Sequence, residues 1–426
     1  MQAGGHPEAA ADARPRLRLG AATRPLPHWL PAGFEAALDA AALLFFPLLV
    51  VAPRGIAPLA SAAGLVGAGL VLSHGRQSGV RCCNALVIPA ALFGSLLAWG
   101  VVSAGWSPDP LRSLVEAARL AGLFAAALAM AAAADFVSAP RRLASFLLAG
   151  FVVALVMATA DLATYGALSR PFSDRVYQPA WLNQASVAFA ILLLPTAAVL
   201  IARQRLLPGL LFAIAGAATI VALAGTAAKT ALAPGLACAV LFYYRPARIA
   251  RLAAALSVVA IVTAPLTFAR LDRLSAVVHG ADAVKLSAGH RLMIWSFVGD
   301  RIAEHALRGW GLDSSRAIPG GGDPIRPGET WLPLHPHNAT LQVWLELGVP
   351  GAVLSGLLSG WLWLVLGRAG WPRLYTAAAA GSLATAFVAS AATYGIWQEW
   401  WLGTLSFSLF MVLVMAQVAS AGRKPR

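Results

Sequence analysis

Residues 184–202 read QASVAFAILLLPTAAVLIA, and no charged side chain interrupts this run. As an α-helix it would extend about 29 Å, which matches the roughly 30 Å hydrocarbon core of a bilayer. Similar blocks recur along the chain, and continuous apolar runs are typical of spanning helices rather than of barrel strands. We place about twelve spans, near residues 34–52, 56–73, 84–103, 113–134, 143–166, 184–202, 207–224, 227–244, 250–268, 340–367, 374–394 and 398–419.

The composition agrees with a chain that lies mostly in a lipid bilayer. Hydrophobic residues make up 59% of the sequence and charged residues 12%, whereas a soluble domain carries roughly a quarter charged residues. The sequence therefore predicts an all-α polytopic membrane protein. The formal charge of +14 would suggest a nucleic-acid partner in a soluble protein. Because most of this excess lies in short loops, topology accounts for it, and we expect no nucleic acid.

The distribution of Lys and Arg predicts which side of the membrane each loop faces. Loops after even-numbered spans and both tails are rich in Arg, whereas the short loops on the opposite side carry few basic residues. Both termini are therefore expected in the cytoplasm. The predicted division is a cytoplasmic tail at 1–33, spans one to nine at 34–268, an outer loop at 269–339, spans ten to twelve at 340–419 and a cytoplasmic tail at 420–426.

The outer loop, 269–339, is the longest polar segment of the chain. It contains eight Lys or Arg and seven Asp or Glu, so it is close to neutral, and its three tryptophans favour an ordered structure. Loops of this length in a compact protein are usually functional or disordered. Within it, helical spacing places Arg291, Trp295, Val298 and Ile302 on one face of residues 290–305. We expect this segment to be a helix that lies along the membrane surface.

A histidine-containing turn, His335-Pro336-His337-Asn338, lies where the outer loop re-enters the membrane. A histidine there can act as a general base on a hydroxyl group near neutral pH. Asn338 could orient the base or donate to a substrate, and the turn could equally be a polar cap on span ten. Because Pro336 favours an extended conformation before it, we expect the two imidazoles to point in different directions. Glu346 follows about 14 Å further along a helix and is a supporting or structural candidate.

Two cations near the outer face are candidates for binding an anion. Arg291 opens the predicted surface helix, and an Arg at a helix N-terminus suits phosphate. Lys229 lies at the outer end of span eight, where a charge close to hydrocarbon is costly. Either side chain could instead reach toward lipid headgroups.

Weaker candidates complete the outer face. Arg170 and Arg175 precede Asn183 in an outer loop and could add positive potential. The scattered histidines could suggest zinc, but acidic residues are not grouped with them. The first outer loop, near Pro53-Arg54-Gly55-Ile56, lacks the acidic residues that hold a metal in many transferases of lipid-linked sugars. We therefore expect neither a metal nor a cofactor.

These motifs resemble the bacterial O-antigen ligase and polymerase superfamily, and the resemblance extends over most of the membrane region. Four pieces occur in the family's order: Asn183 after an outer loop, Lys229, the segment GHRLMIW (289–295), and His337-Asn338 followed by ELGVPG (346–351). Family members have about twelve spans in a GT-C-like architecture, with a large loop before the His-Asn motif. The family usually has Ser-Arg where this chain has Ala228-Lys229, so the charge is kept but the bidentate guanidinium is lost.

The resemblance implies a metal-independent, inverting glycosyltransferase of the bacterial inner membrane with a periplasmic active site. It would move an O-antigen glycan from undecaprenyl pyrophosphate to a sugar hydroxyl of lipid A–core, in lipopolysaccharide biosynthesis. His337 would be the general base, and Arg291 and Lys229 would bind the donor pyrophosphate. An O-antigen polymerase and a protein O-oligosaccharyltransferase are close alternatives. A transporter of lipid-linked glycans is an alternative of another class, but it would need ionisable residues in mid-span and repeat symmetry.

Overall fold

The computed structural model describes residues 29–74, 76–172, 177–203, 205–268, 280 and 286–421, and these are mostly helical. Thirteen α-helices lie in the described ranges, and they are numbered here in chain order. They are α1 Trp29–Val51, α2 Ile56–Ser73, α3 Arg76–Ser103, α4 Pro110–Ala133, α5 Pro140–Ala163, α6 Asn183–Ala202, α7 Leu206–Ala222, α8 Thr226–Tyr244, α9 Pro246–Phe268, α10 Leu286–Glu304, α11 Ala339–Gly367, α12 Arg373–Ala392 and α13 Glu399–Ser420. A short antiparallel hairpin pairs β1 Pro324–Arg326 with β2 Glu329–Thr330.

The predicted fold class, an all-α polytopic membrane protein, is confirmed. Within the described ranges, eleven helices are long and apolar enough to cross a membrane. The predicted span at 207–224 corresponds to α7, an apolar helix of 17 residues that is shorter than the others. Large apolar side chains on the outside of the bundle, such as Leu65 at 77% and Ile214 at 65%, are exposed. A lipid environment accommodates such side chains at no cost. The side of the membrane that each loop faces stays a prediction.

Helix α6 lies at the centre of the bundle. Between Ala185 and Leu200 all of its side chains except the partly buried Leu194 are buried, as expected for a helix that is apolar all round. Phe189 stacks on Phe151 of α5 with the ring centroids 5.2 Å apart, and Phe151 stacks in turn on Phe46 of α1 at 4.1 Å. The N-terminal end of this central helix carries Asn183.

Small residues allow α8 and α12 to pack backbone against backbone. A Cβ on Gly235 would lie 2.9 Å from the carbonyl oxygen of Gly381, and a Cβ on Gly381 would lie 2.8 Å from that of Gly235. Close approach through small residues is a common mode of helix association in membranes. This contact fixes α8, which carries Lys229, against α12, which ends next to the histidine turn.

Helix α11 is broken at Gly348, whose φ of 60° and ψ of −152° lie outside the helical region. Pro350 then has no N–H to donate to the preceding turn. The freed carbonyls accept hydrogen bonds from the outer loop instead. Trp310 N donates to Leu345 O at 2.9 Å and Gly311 N to Glu346 O at 2.8 Å. The segment ELGVPG is therefore the joint that fastens the outer loop to span ten.

Helix α10 confirms the predicted apolar face, but other helices and not lipid cover that face. That the helix lies along the membrane surface stays a prediction. Val298 and Ile302 are 0% and 3% exposed, and they pack in one cluster with Ala264 of α9 and with Leu341 and Leu345 of α11. Because protein covers the apolar face, this face is not free to enter the lipid.

The orientation can be tested by cysteine labelling in a variant whose three native cysteines are replaced by Ala. Gly322 is exposed, and a Cβ there meets nothing within 4 Å, so Gly322→Cys is tolerated. We expect it to react with a membrane-impermeant maleimide in intact spheroplasts. The control, Ala247→Cys between the basic residues that follow α8, is expected to react only after permeabilisation. The reverse pattern would invert the topology.

The break in α11 makes a second prediction. At Gly348 a side chain would be strained by the positive φ, and its Cβ would lie 2.6 Å from Gly309 N. Gly348→Ala should therefore destabilise the protein by about 1–3 kcal/mol. Gly356→Ala, on the same helix, is the matched control, because the nearest atom to its Cβ, on Val258 of α9, is 3.8 Å away. Thermal unfolding of the purified protein in detergent should separate the two variants, and equal melting temperatures would contradict the proposed joint.

Candidate active site

The histidine turn holds His337 in a defined tautomer. Its φ of 55° places the residue in the left-handed region, so the chain turns sharply before α11. Its Nδ1 lies 2.8 Å from the carbonyl oxygen of Thr393. A carbonyl only accepts hydrogen bonds, so Nδ1 carries the proton and Nε2 keeps the basic lone pair. Trp295 Nε1 also donates to Pro336 O at 2.9 Å, which holds the turn against α10.

Burial keeps His337 neutral. Its pKa lies below the ordinary value, chiefly because burial disfavours the charged ring. The hydrogen bond to Thr393 opposes this shift, and the Arg291 and His290 charges reinforce it. At neutral pH the ring is therefore uncharged, and its Nε2 is free to act as a base.

His335 supports His337 and is not free to react. It is 6% exposed, and its Nδ1 accepts a hydrogen bond from the backbone N–H of His337 at 3.2 Å. The two rings contact each other with centroids 4.3 Å apart, so the expectation that they point in different directions is wrong. The left-handed backbone at His337 folds the second ring back onto the first. Burial, with the nearby His337, Arg316 and Arg291, lowers the pKa of His335 to about 3.

Arg291 lies beside His337 because both bind the same short stretch of backbone. Its Nη1 donates to the carbonyl oxygen of Ala392 at 2.8 Å, and the adjacent carbonyl, on Thr393, holds His337. Burial lowers the pKa of Arg291, yet a guanidinium remains charged at neutral pH. The end of α12 thus places a fixed cation next to a neutral base, with further guanidinium N–H groups that can donate to an anion.

Asn338 caps α11. Its Oδ1 accepts hydrogen bonds from the backbone N–H groups of Thr340 at 3.0 Å and Leu341 at 3.1 Å, as an N-cap does. The side chain is fully buried. Its place in the His-Asn motif therefore has a structural reason, because the cap fixes where the helix starts directly after His337.

Glu346 is a structural anchor. Its carboxylate is fully buried and accepts four hydrogen bonds. The donors are Ser315 Oγ at 2.5 Å, Trp397 Nε1 at 2.6 Å, Asp313 N at 2.7 Å and Gln342 Nε2 at 3.0 Å. These groups come from the outer loop, from α11 and from the α12–α13 connection, so Glu346 ties all three together.

Asn183 reaches the site through Tyr394. The Tyr394 hydroxyl donates to the Asn183 carbonyl at 3.2 Å, and Arg291 lies close enough to oppose the burial that raises the pKa of Tyr394. Gly225, just before α8, abuts Asn183, since a Cβ there would lie 3.4 Å from Asn183 Oδ1. Lys229 is half-buried one turn into α8, and no ion pair of its side chain occurs among the described residues.

Of the two predicted outer-loop arginines, Arg170 lies within the described residues and is not part of this cluster. Arg170 is exposed on the 3₁₀ turn Arg170–Phe172. In the described ranges its side chain makes no hydrogen bond to Arg291 or His337. Arg175 lies outside the described residues.

Several polar atoms around the cluster are buried and have no hydrogen-bond partner within the described part of the chain. Such groups are uncommon in proteins and mark places where a ligand or water can bind. They are Asn183 Oδ1, Ser186 Oγ, Asn338 Nδ2 and Thr393 Oγ1.

The α12–α13 connection supplies four further residues that were not among the predicted site residues: Thr393, Tyr394, Trp397 and Gln398. Trp397 binds Glu346, and Gln398 lies 3.2 Å from His335 Nε2. The segment TYGIWQEWW (393–401) is unusually aromatic and polar for so short a loop, and this composition could have drawn attention to it.

The fold is that of a polytopic membrane protein, and about a third of the chain matches a family model. The family model described as O-Antigen ligase matches residues 210–355, which include Lys229, Arg291, His337 and Glu346. This match confirms the resemblance to the O-antigen ligase superfamily.

The chain is also similar to curated proteins from Rickettsia that carry the name "Putative polysaccharide ligase". It is 34% identical over 140 residues to the Rickettsia conorii protein, which is 32% of this chain and 34% of that protein. It is 32% identical over 139 residues to the Rickettsia felis protein, which is 32% of this chain and 34% of that protein. The chain thus matches about a third of the length of these relatives.

Proposed function

We propose that this protein is an O-antigen ligase of the bacterial inner membrane, with its active site on the periplasmic face. It would transfer a glycan from undecaprenyl pyrophosphate to a sugar hydroxyl of lipid A–core. The observation that carries the proposal is the pair of hydrogen bonds on adjacent carbonyls, Arg291 on Ala392 and His337 on Thr393. A base for the acceptor and a cation for the donor thereby lie side by side, within residues matched by the family model.

The reaction is an inverting displacement. His337 Nε2 takes the proton of the acceptor hydroxyl, and the oxygen lone pair forms the new bond to the anomeric carbon. The bond from that carbon to the pyrophosphate oxygen breaks, and its electron pair leaves with the pyrophosphate. The proton on His337 then passes to solvent or to the departing phosphate, which restores the neutral ring.

Cations stabilise the leaving group. Charge develops on the pyrophosphate oxygen in the transition state, and a fixed, partly buried guanidinium interacts with it more strongly than water would. Arg291 fits this role because one N–H group is anchored on Ala392 while the others remain for the phosphate. Lys229, on the helix that abuts Asn183, would add a second charge as the donor binds. The scheme requires no metal and no cofactor.

The function itself is tested by deleting the gene and separating lipopolysaccharide on a gel. The proposal predicts a core without any O-antigen, together with accumulated undecaprenyl-linked polymer. A core that carries a single repeat would instead identify a polymerase. A normal ladder would reject both glycosyltransferases and favour a different role, such as transport.

Substitution of His337 tests the general base. Because a general base contributes roughly 10²–10⁴-fold in rate, His337→Ala should lose ligation by about that factor. Donor binding should survive in His337→Ala and weaken in Arg291→Ala. His335→Ala should keep part of the activity, because that ring only positions its neighbour. His305→Ala, elsewhere in the outer loop, is the control. Near-normal ligation by His337→Ala at matched protein levels would show that His337 is not the general base.

The pH dependence follows from the lowered pKa of His337. The neutral ring is the active form, so ligation falls only as the pH drops through the folded pKa. The acid limb of kcat/KM in purified protein should therefore lie below pH ~6.5, the ordinary value for His. A midpoint at or above that value would contradict a buried, neutral base.

A further inference from the structure

A cavity in the outer loop lies apart from the site described above. Its volume is about 330 Å³, at the lower end of the range of small-molecule sites. It is lined by Ser296, Phe297, Asp300, Arg301, Asp323 and Trp331, together with Gly320. None of these residues has a part in the reaction proposed above.

The cavity lies on the face of α10 opposite Arg291. Asp300 follows Arg291 by nine residues, which at 3.6 residues per turn is half a turn from the same face and about 14 Å along the axis. One side of α10 therefore faces the histidine turn, and the other side faces the cavity. A ligand in the cavity would therefore lie remote from the position of the bonds that form and break in the proposed reaction.

The aromatic wall is pre-arranged. Trp331 stacks on Phe297 with ring centroids 5.8 Å apart and an interplanar angle of 23°. The Arg301 guanidinium lies 5.1 Å from the centroid of the Phe297 ring. Both rings are held by neighbours, so a ligand would not have to order them. The half-buried indole of Trp331 offers an apolar surface that suits the C–H face of a sugar ring.

The polar wall combines acceptors and a donor. Asp300 and Asp323 are exposed on the rim, where their carboxylates can accept hydrogen bonds from pairs of hydroxyl groups. Arg301 is paired with Glu304 at 2.7 Å through Nη1, whereas its Nε is buried and has no hydrogen-bond partner within the described ranges. The two carboxylates outnumber the one cation in the lining. Acidic ligands are therefore disfavoured. A lipid tail is disfavoured as well, because it would have to pass two charged carboxylates at the rim.

We propose that this cavity is a saccharide subsite that takes a neutral sugar unit of the donor glycan, away from the unit whose anomeric carbon reacts. An aromatic face beside carboxylates and a guanidinium is a chemistry that recognises uncharged sugars. The assignment of the sugar to the donor rests on the proposed function. Saccharide binding by the cavity does not rest on the proposed function, because binding can be measured without glycan transfer.

The test uses the full chain, purified in detergent, and saturation-transfer NMR with neutral oligosaccharides of glucose, galactose, mannose, rhamnose and N-acetylglucosamine. An oligogalacturonide of similar length is the acidic counterpart. We expect at least one neutral oligosaccharide to bind and the acidic one to bind more weakly. Trp331→Ala should weaken binding about tenfold, a change typical of losing an aromatic anchor. Phe172→Ala removes a 64% exposed aromatic ring outside the cavity and should change nothing.

Asp300→Asn keeps the proposal testable if Trp331→Ala fails to fold, because Asp300 is an exposed helix residue. Asp300→Asn should weaken binding of the neutral oligosaccharides. It should also reduce the difference in affinity between the neutral oligosaccharides and the acidic one. Absence of binding by every neutral saccharide, or unchanged binding in Asp300→Asn and in a folded Trp331→Ala, would overturn the subsite.

A second arm separates the subsite from the proposed function. In ligation, Trp331→Ala should raise KM for a long lipid-linked glycan and leave a single-repeat donor unaffected. An equal effect on KM for both donors would contradict the assignment of the cavity to a donor sugar away from the reacting unit. Cavity-dependent saccharide binding in a protein with no ligation would keep the subsite and reject the ligase.

Discussion

The break in α11 is the constraint on which the outer half of this protein depends. A glycine in the left-handed region and a proline without an N–H leave the carbonyls of Leu345 and Glu346 unpaired by the helix, and the outer loop supplies the missing donors. In the apolar interior of a membrane protein, an unpaired carbonyl costs several kcal/mol. The loop is thus bound to the bundle by backbone groups that have no alternative partner.

The buried Glu346 carboxylate also binds the outer loop to the bundle. Four donors converge on it from the outer loop, α11 and the α12–α13 connection. Because removing any one element would leave a buried charge poorly paired, the three segments are held together as a unit. This unit holds the end of α12 in place, where the carbonyls of Ala392 and Thr393 bind Arg291 and His337.

The candidate site could be predicted only in part. The sequence identified His337 and Arg291 from residue type, position and resemblance, and the structure brings these two together. It gave a polar cap on span ten and a structural role for Glu346 only as alternatives, and it did not indicate that His335 packs on His337. The tautomer of His337 and the anchoring of Glu346 depend on Thr393, Trp397 and Ser315, which lie 31 to 56 residues away from their partners in the chain.

What the sequence alone determined is the set of helices and their membrane character. Hydrophobic length and helix-ending residues are local properties, so the predicted spans agree with the helices to within five residues at each end, except that α3 begins at Arg76, eight residues before the predicted 84. Only the tertiary structure decided that α10 packs on α9 and α11 instead of on lipid, and which nitrogen of His337 stays basic. Both depend on contacts between segments distant in sequence, and an amphipathic helix has the same pattern whether protein or lipid covers its apolar face.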